Sequence, residues 1–314
     1  MGISQSLQFP SVYGAQRKVN KSKVLMQEQQ YQLDERYLKR EVSKSYYTIV
    51  YWQNVVNNYH YLDSLYQQFS IAASRRYEVG ETNYLEKLTA TSKQKEIELL
   101  LNQVRQNIED AYIELNKWIQ TNDSIRVEET VLSKVDIHAV DTANHPGLMY
   151  YKQAVHLSEN TLNVEKQRLL PDLHLSYFQG TNNGVNAQIY QGFQAGIGIP
   201  LFFGAQKSKI GASKVETELL QKKAENYSIQ LQSKYNQLKA KLSKYQEAIN
   251  YYEQNGKTLS HELINTSTKA FQNGEIDFVQ LILSLENAKN IEMTYLENLY
   301  NYDKTVLGIN YLMN

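Results

Sequence analysis

The 314-residue chain carries 33 Lys and Arg against 33 Asp and Glu, so it is neutral, and its length suggests about two ordinary domains. Both signs are mixed along nearly every stretch, which argues against a nucleic-acid partner, and the absence of cysteine excludes disulfides, thiolate metal sites and a cysteine nucleophile. No apolar run approaches the ~20 residues of a membrane helix, and the opening residues lack the charged start and apolar stretch of a secretory signal.

Tyr occurs 25 times against 8 Phe, and Gly and Pro are distributed unevenly. Neither occurs between Gly14 and Gly80 or between Gly80 and Pro146, while seven of the 14 Gly lie from Gly180 to Gly211. Such spacing predicts very long helices separated by one compact strand-and-turn region.

In chain order, Ile3, Gln5, Leu7 and Phe9 alternate with Ser4, Ser6 and Gln8 in the strand period. From Ala15 to Val79 apolar residues recur at spacings of three and four (Val42, Tyr46, Ile49, Val56, Tyr59, Tyr66, Phe69, Ala73), which predicts a helix of roughly 100 Å. After a break at Gly80 the rhythm resumes through Ile97, Leu101, Val104, Ile108, Ala111, Leu115 and Trp118. The pattern loosens from Thr121 to Pro146. Asn144-His145-Pro146 then reads as a cap and first-turn proline for a helix from Leu148 to Leu170 that stops before Pro171. Next, Leu173, Leu175 and Tyr177 share one face of a strand, with His174 opposite, and the loop Gly180-Thr181-Asn182-Asn183-Gly184 reverses it. The returning strand places Ala195, Ile197, Ile199 and Leu201 on one face and Gly196, Gly198 and Pro200 on the other. Both strands have the length of a tilted membrane β-strand, although a soluble hairpin packed on a helix fits the same pattern.

The sequence is internally duplicated. GISQSLQFPSVYGAQRK from Gly2 matches GFQAGIGIPLFFGAQKS from Gly192 at an offset of 190, pairing Pro10 with Pro200 and Gly14 with Gly204. Tyr77-Glu78-Val79-Gly80-Glu81 matches Phe271-Gln272-Asn273-Gly274-Glu275 at an offset of 194. Each half reads as strand, long helix, glycine break and second helix. The drift of four residues is close to one helical turn. By this repeat, the first strand lacks the partner that precedes its counterpart, and an upstream helix and strand are expected, which would make the chain a truncated form.

HPGLMYYKQAV, LLPDLHLSYFQGTN, GIGIPLFFGAQKSKI and the two break motifs RYEVGETNYLEKL and AFQNGEIDFVQLI carry, in their order and duplication, a resemblance that covers essentially the whole chain. It resembles the TolC-like outer-membrane efflux proteins, most closely the heavy-metal or cation branch that serves resistance-nodulation-division pumps. The resemblance implies a mainly α fold of long-helix hairpins with a β-barrel portion, and a homotrimer that closes a 12-stranded barrel in outer-membrane lipid. It also implies a passive duct docked by a periplasmic adaptor and an inner-membrane pump. On that plan residues 1–13 are a strand, 14–135 a periplasmic hairpin, 136–170 a helix into the second repeat, 171–203 the barrel hairpin and 204–314 the second periplasmic hairpin. Leu173, Leu175, Tyr177, Ile197 and Ile199 would face lipid. Tyr77, Gly80, Glu81, Phe271, Gly274 and Glu275 would meet the adaptor, or else simply end and pack the helices. Asp277 matches a position of the acidic aperture ring, where the next expected acid is Gln280. Glu86 stands at the equivalent of Gln280 and reads also as a solvated carboxylate.

No catalyst, cofactor or dedicated metal site is expected. The six histidines, His60, His138, His145, His156, His174 and His261, show no i, i+4 ligand pairing, no carboxylate pair marks a pocket, and no glycine loop cradles phosphate. A rival reading is a soluble coiled-coil scaffold or adaptor, or a fragment of a duct that cannot close.

Overall fold

The structure, a computed structural model, describes residues 1–121, 123, 125–128, 131–139, 144–182, 184–199 and 201–313. Pro200 of the duplicated segment and Asn183 of the reversing loop lie outside the described residues, as do 140–143 of the expected 136–170 element. The elements are β1 (Gly2–Leu7), α1 (Pro10–Glu78), α2 (Tyr84–Ile119), α3 (Pro146–Gln167), β2 (Asp172–Thr181), β3 (Ile189–Gly198), α4 (Gly204–Tyr251), a π-helical turn (Tyr252–Gly256), α5 (Lys257–Gln272) and α6 (Phe278–Met313). The protein is mainly helical, with one small three-stranded sheet.

Several boundaries differ from the sequence expectation. Helix α1 begins at Pro10, so 10–13 are helical instead of strand; a proline fits the first helical position because its fixed φ suits the helix and its missing N–H would lack a partner there. Helix α3 starts two residues earlier than expected and ends three earlier. Its cap is His145, whose Nδ1 accepts from the Gly147 N–H at 3.0 Å. The second long helix is interrupted by the π turn, which periodicity alone does not reveal.

The chain divides into two compact units, Met1–Glu35 with Asp141–Ser233 and Arg36–Val140 with Lys234–Asn314. In the first, the sheet has the order β1-β2-β3 with both pairings antiparallel. β1 pairs along its length with β2. The helix segments of this unit join through small apolar and hydroxyl groups. Ala15 and Val19 of α1 pack on Val164 of α3, the Ser158 and Thr217 hydroxyls meet at 2.7 Å between α3 and α4, and Gln206 Nε2 donates to the Glu165 carbonyl at 2.7 Å.

In the second unit, one core gathers Ile49, Val50, Leu115, Ile249, Leu299 and Val306. A second gathers Leu62, Tyr66, Phe69, Ile97, Leu281 and Leu285, including Tyr66, Phe69 and Ile97 of the expected periodic set. The stretch after α2 forms no helix or strand among its described residues, yet Val127 and Leu132 are buried in the first core. Its backbone is satisfied by side chains: the Val135 N–H donates to Asp303 Oδ1 at 2.9 Å and the His138 N–H to Asn310 Oδ1 at 2.9 Å.

Tyr51 of α1 stacks on Tyr300 of α6 with ring centroids 4.4 Å apart. Burial, with Glu297 and Tyr300 adding to it, pushes its phenol up to about 12. The folded protein holds this proton more tightly than the unfolded chain does. The stabilisation is therefore complete below pH 10 and is lost as pH rises through 10 towards about 12. Tyr51→Phe is expected to weaken the alkaline loss of helical circular dichroism and move its midpoint upward; an unchanged midpoint would contradict this assignment.

Candidate functional site

Two features stand out chemically, one in each unit. In the second unit, α1 and α5 end in the same way. Gly80 (φ 77°) and Gly274 (φ 75°) adopt the left-handed conformation that a Cβ disfavours. At the first end the Glu81 N–H donates to the Arg76 carbonyl at 2.8 Å and the Gly80 N–H to that of Tyr77 at 3.1 Å. At the second, Glu275 donates to Ala270 at 2.8 Å and Gly274 to Phe271 at 3.1 Å. Each end therefore satisfies its last carbonyls with a Schellman pair of bonds.

The helices that follow are capped as they leave these turns. Asn83 Oδ1 accepts from the Glu86 N–H at 3.0 Å. Asp277 Oδ1 accepts from the Gln280 N–H at 2.8 Å, while Gln280 Oε1 accepts from the Asp277 N–H at 3.2 Å, a complete capping box. These bonds explain why an amide can stand where an acid was expected at 280: Gln keeps the box. The Glu86 carboxylate accepts from Thr82 and pairs with Arg76 at 3.1 Å, so it is not simply solvated.

Of the sequence-nominated residues, Glu86, Phe271, Gly274, Glu275 and Asp277 line one cavity of about 820 Å³. Tyr77 stands outside it, its ring 5.7 Å from Tyr84 with Lys87 Nζ 5.1 Å from its centroid. Tyr77, Glu81, Gly274, Glu275 and Asp277 are exposed, and Phe271 is half-buried against Phe69, with centroids 5.7 Å apart. The sequence reading missed Arg76, which pairs with Glu86, lies 3.9 Å from Glu81 and sets its guanidinium 5.8 Å from the Phe271 ring. Its signal was its place beside Tyr77 in the first break motif.

In the first unit, the register stacks mostly apolar residues, with Gln5 the one polar position, in three rows across the sheet. Ile3, Tyr177 and Phe193 form one row, Gln5, Leu175 and Ala195 the next, and Leu7, Leu173 and Ile197 the third. Side chains alternate between faces, so all nine share one face. It is open: Ile3 is 75% exposed, Phe193 85% and Ile197 66%. The opposite face carries Ser4, Ser6, His174, Ser176 and Gln194 with three glycines of β3. It also carries Tyr190, opposite Gly180, and Phe178, whose ring lies over Gly192, where a Cβ would come within 2.5 Å of the ring. Ile199, nominated for the apolar face, falls just past β3, which ends at Gly198. β1 and β3 each present one edge with no strand beside it among the described residues.

Among the described residues no helix is long and apolar enough to cross a membrane, and no three His, Asp or Glu stand together as metal ligands.

Replacing Gly80 or Gly274 by Ala is expected to cost about 1–2 kcal/mol each. Gly14→Ala, whose added Cβ meets nothing within 4 Å, provides the control. Equal thermal stability for all three variants would contradict the left-handed assignment.

No family model and no curated protein matches the chain. Solved structures do. It superposes on the CmeC outer membrane channel of Campylobacter jejuni with a TM-score of 0.83 at 14% identity, covering 99% of this chain and 70% of that one. For VceC, an outer membrane protein of Vibrio cholerae, the TM-score is 0.85 at 13% identity, covering 100% and 78%. For CusC, whose structures concern transmembrane channel formation, it is 0.86 at 14%, covering 100% and 76%. The chain has the fold of these channel proteins.

Proposed function

We propose that the chain is one protomer of a homotrimeric outer-membrane exit duct of a TolC-like tripartite efflux system. Its helical hairpins extend into the periplasm, towards a periplasmic adaptor and an inner-membrane pump of the resistance-nodulation-division type. The observation that carries this reading is the uncovered apolar face of the sheet, backed by a polar and glycine-rich face. A wall between lipid and a water-filled lumen requires that division. Open strand edges cannot persist in lipid, because their unpaired N–H and C=O groups have no water to bond. The free edges of β1 and β3 therefore call for strands from outside the described residues, with other copies of the chain closing the ring. The fold shared with outer membrane channels supports the same reading.

The duct works passively and needs no catalyst. Its cargo is metal cations or small toxic compounds, moved by the pump. The two glycine turns, with exposed Tyr77, Glu81 and Glu275 and half-buried Phe271, are the adaptor contacts, and opening follows from untwisting of these ends when adaptor and pump engage. In a trimer, Asp277 contributes three carboxylates to the aperture. Glu86 contributes little charge there because Arg76 neutralises it.

Lysine at Ile197 or Leu175 is expected to cost roughly 2–4 kcal/mol near mid-bilayer. The yield of heat-resistant oligomer in outer membranes should fall accordingly, whereas lysine at Ser176 or Gln194, on the opposite face, should be tolerated. Equal tolerance on both faces, with extraction without detergent, would overturn the duct reading in favour of a soluble scaffold.

A further inference from the structure

The duplicated segments that follow β1 and β3 fold differently. Ser11-Val12-Tyr13 corresponds to Leu201-Phe202-Phe203 at the 190-residue offset. In the first copy these residues are the opening turn of α1, with Val12 only 3% exposed. In the second they precede α4 as non-helical chain, and Phe202 is 92% and Leu201 81% exposed. A more apolar sequence is thus the less packed of the two, which self-contained folding would not favour. β1 and β3 run in the same direction, both antiparallel to β2, so α1 and α4 leave from the same end of the sheet. The exposed turn continues directly from the apolar face.

Charge at that end is predominantly basic, the acids there being Asp172 at the start of β2 and, in α3, Glu159 and Glu165, the latter paired with Arg168. No Asp or Glu occurs before Glu28 or between Asp172 and Glu216. The start of α1 instead carries Arg17, Lys18, Lys21 and Lys23, and that of α4 carries Lys207 and Lys209, all exposed. Neither helix has an acid in its first turn, and Lys207 stands within the first turn of α4. A helix N-terminus favours anions in its first turn, so Lys207 does not serve helix stability there. Lys and Arg just beyond an apolar membrane segment attract anionic headgroups while their stems lie along apolar surface.

We infer that the 201–203 turn and the basic starts of α1 and α4 form an interfacial seat for an anionic phospholipid leaflet, fixing the depth of the sheet. The turn dips into the acyl boundary and the cations hold the phosphates. This rests on the membrane reading given above.

The chain has no cysteine, so Phe202→Cys and Ile197→Cys can each carry a single environment-sensitive fluorophore. Each is reconstituted into phosphatidylcholine vesicles containing spin-labelled phosphatidylcholine or spin-labelled phosphatidylglycerol. The label at 197 should be quenched best by a spin label deep in the acyl chain, and that at 202 by one near the headgroup. At 202, phosphatidylglycerol should quench several-fold more than phosphatidylcholine. High salt should remove that excess, as should the variant K18Q, K21Q, K207Q, K209Q, which changes only exposed side chains. Quenching at 197 without quenching at 202 would overturn the seat, leaving the turn to be covered by another copy of the chain, while the membrane reading survived. Equal quenching at 202 by both lipids would also overturn it, since the cations would then select nothing. Quenching at neither position would remove the membrane reading and the seat together.

Discussion

Nothing in the described chain covers the apolar face of the sheet, and most of the functional argument depends on that constraint. Nine positions in three rows are aligned by strand register onto one side, and a one-residue slip of any strand would turn its share of them to the other face. A soluble three-stranded sheet would be expected to bury such a face under a helix. Here the helices leave from one end of the sheet instead, and among the described residues nothing satisfies the hydrophobic effect at that face. The same holds for the free strand edges, whose backbone groups need partners wherever water is excluded.

The helical portion solves a different problem with the unusual tyrosine content. Long helices packed side by side need side chains that fill apolar seams and still end in a polar group. Tyr300 does this by stacking on Tyr51 while its hydroxyl meets Thr48 Oγ1 at 2.8 Å. Tyr252 stacks on Tyr295 at 3.8 Å and donates to Glu292 at 2.6 Å, beside a bond from Ser260 to the same carboxylate. Phe would fill these seams equally well but leave Thr48 and Glu292 without those partners. Burial accordingly holds the phenols of Tyr295 and Tyr300 above their ordinary range.

Much of this was legible in the sequence because it rests on local chemistry. The long helices follow from the lack of Gly and Pro over tens of residues, and the hairpin from period-two alternation around a Gly/Asn loop. The glycine breaks at 80 and 274 follow from duplication. What stayed hidden depends on tertiary partners. Val127 and Leu132 lie in a stretch without periodicity, yet they enter a core because Asp303 and Asn310 satisfy the backbone that follows them. The π turn carries Asn255-Gly256, but what makes it a π turn and not a break shows only in its hydrogen bonds. β1 found its partner 170 residues away in β2, a pairing that an argument from the repeat alone did not supply. The role of Arg76 is likewise tertiary, since only the fold sets it against Glu86 and Phe271.

The capped turns carry a mechanical consequence. Each one closes its backbone bonds within its own short stretch of chain, through the glycine turn and the Asn83 or Asp277 cap that follows it. At the turns themselves, what joins one hairpin to the other is of another kind: side-chain packing, with Phe69, Ala73 and Phe278 in one buried cluster, Phe271 edge-on to Phe69, and the guanidinium of Arg76 over the Phe271 ring. Contacts of these types are worth only about 0.5–1.5 kcal/mol each beyond the apolar area they bury, and they join side chains, not backbone groups. Levered apart, the two ends would separate as stiff knuckles and not as fraying threads, and could close again on the same faces without refolding.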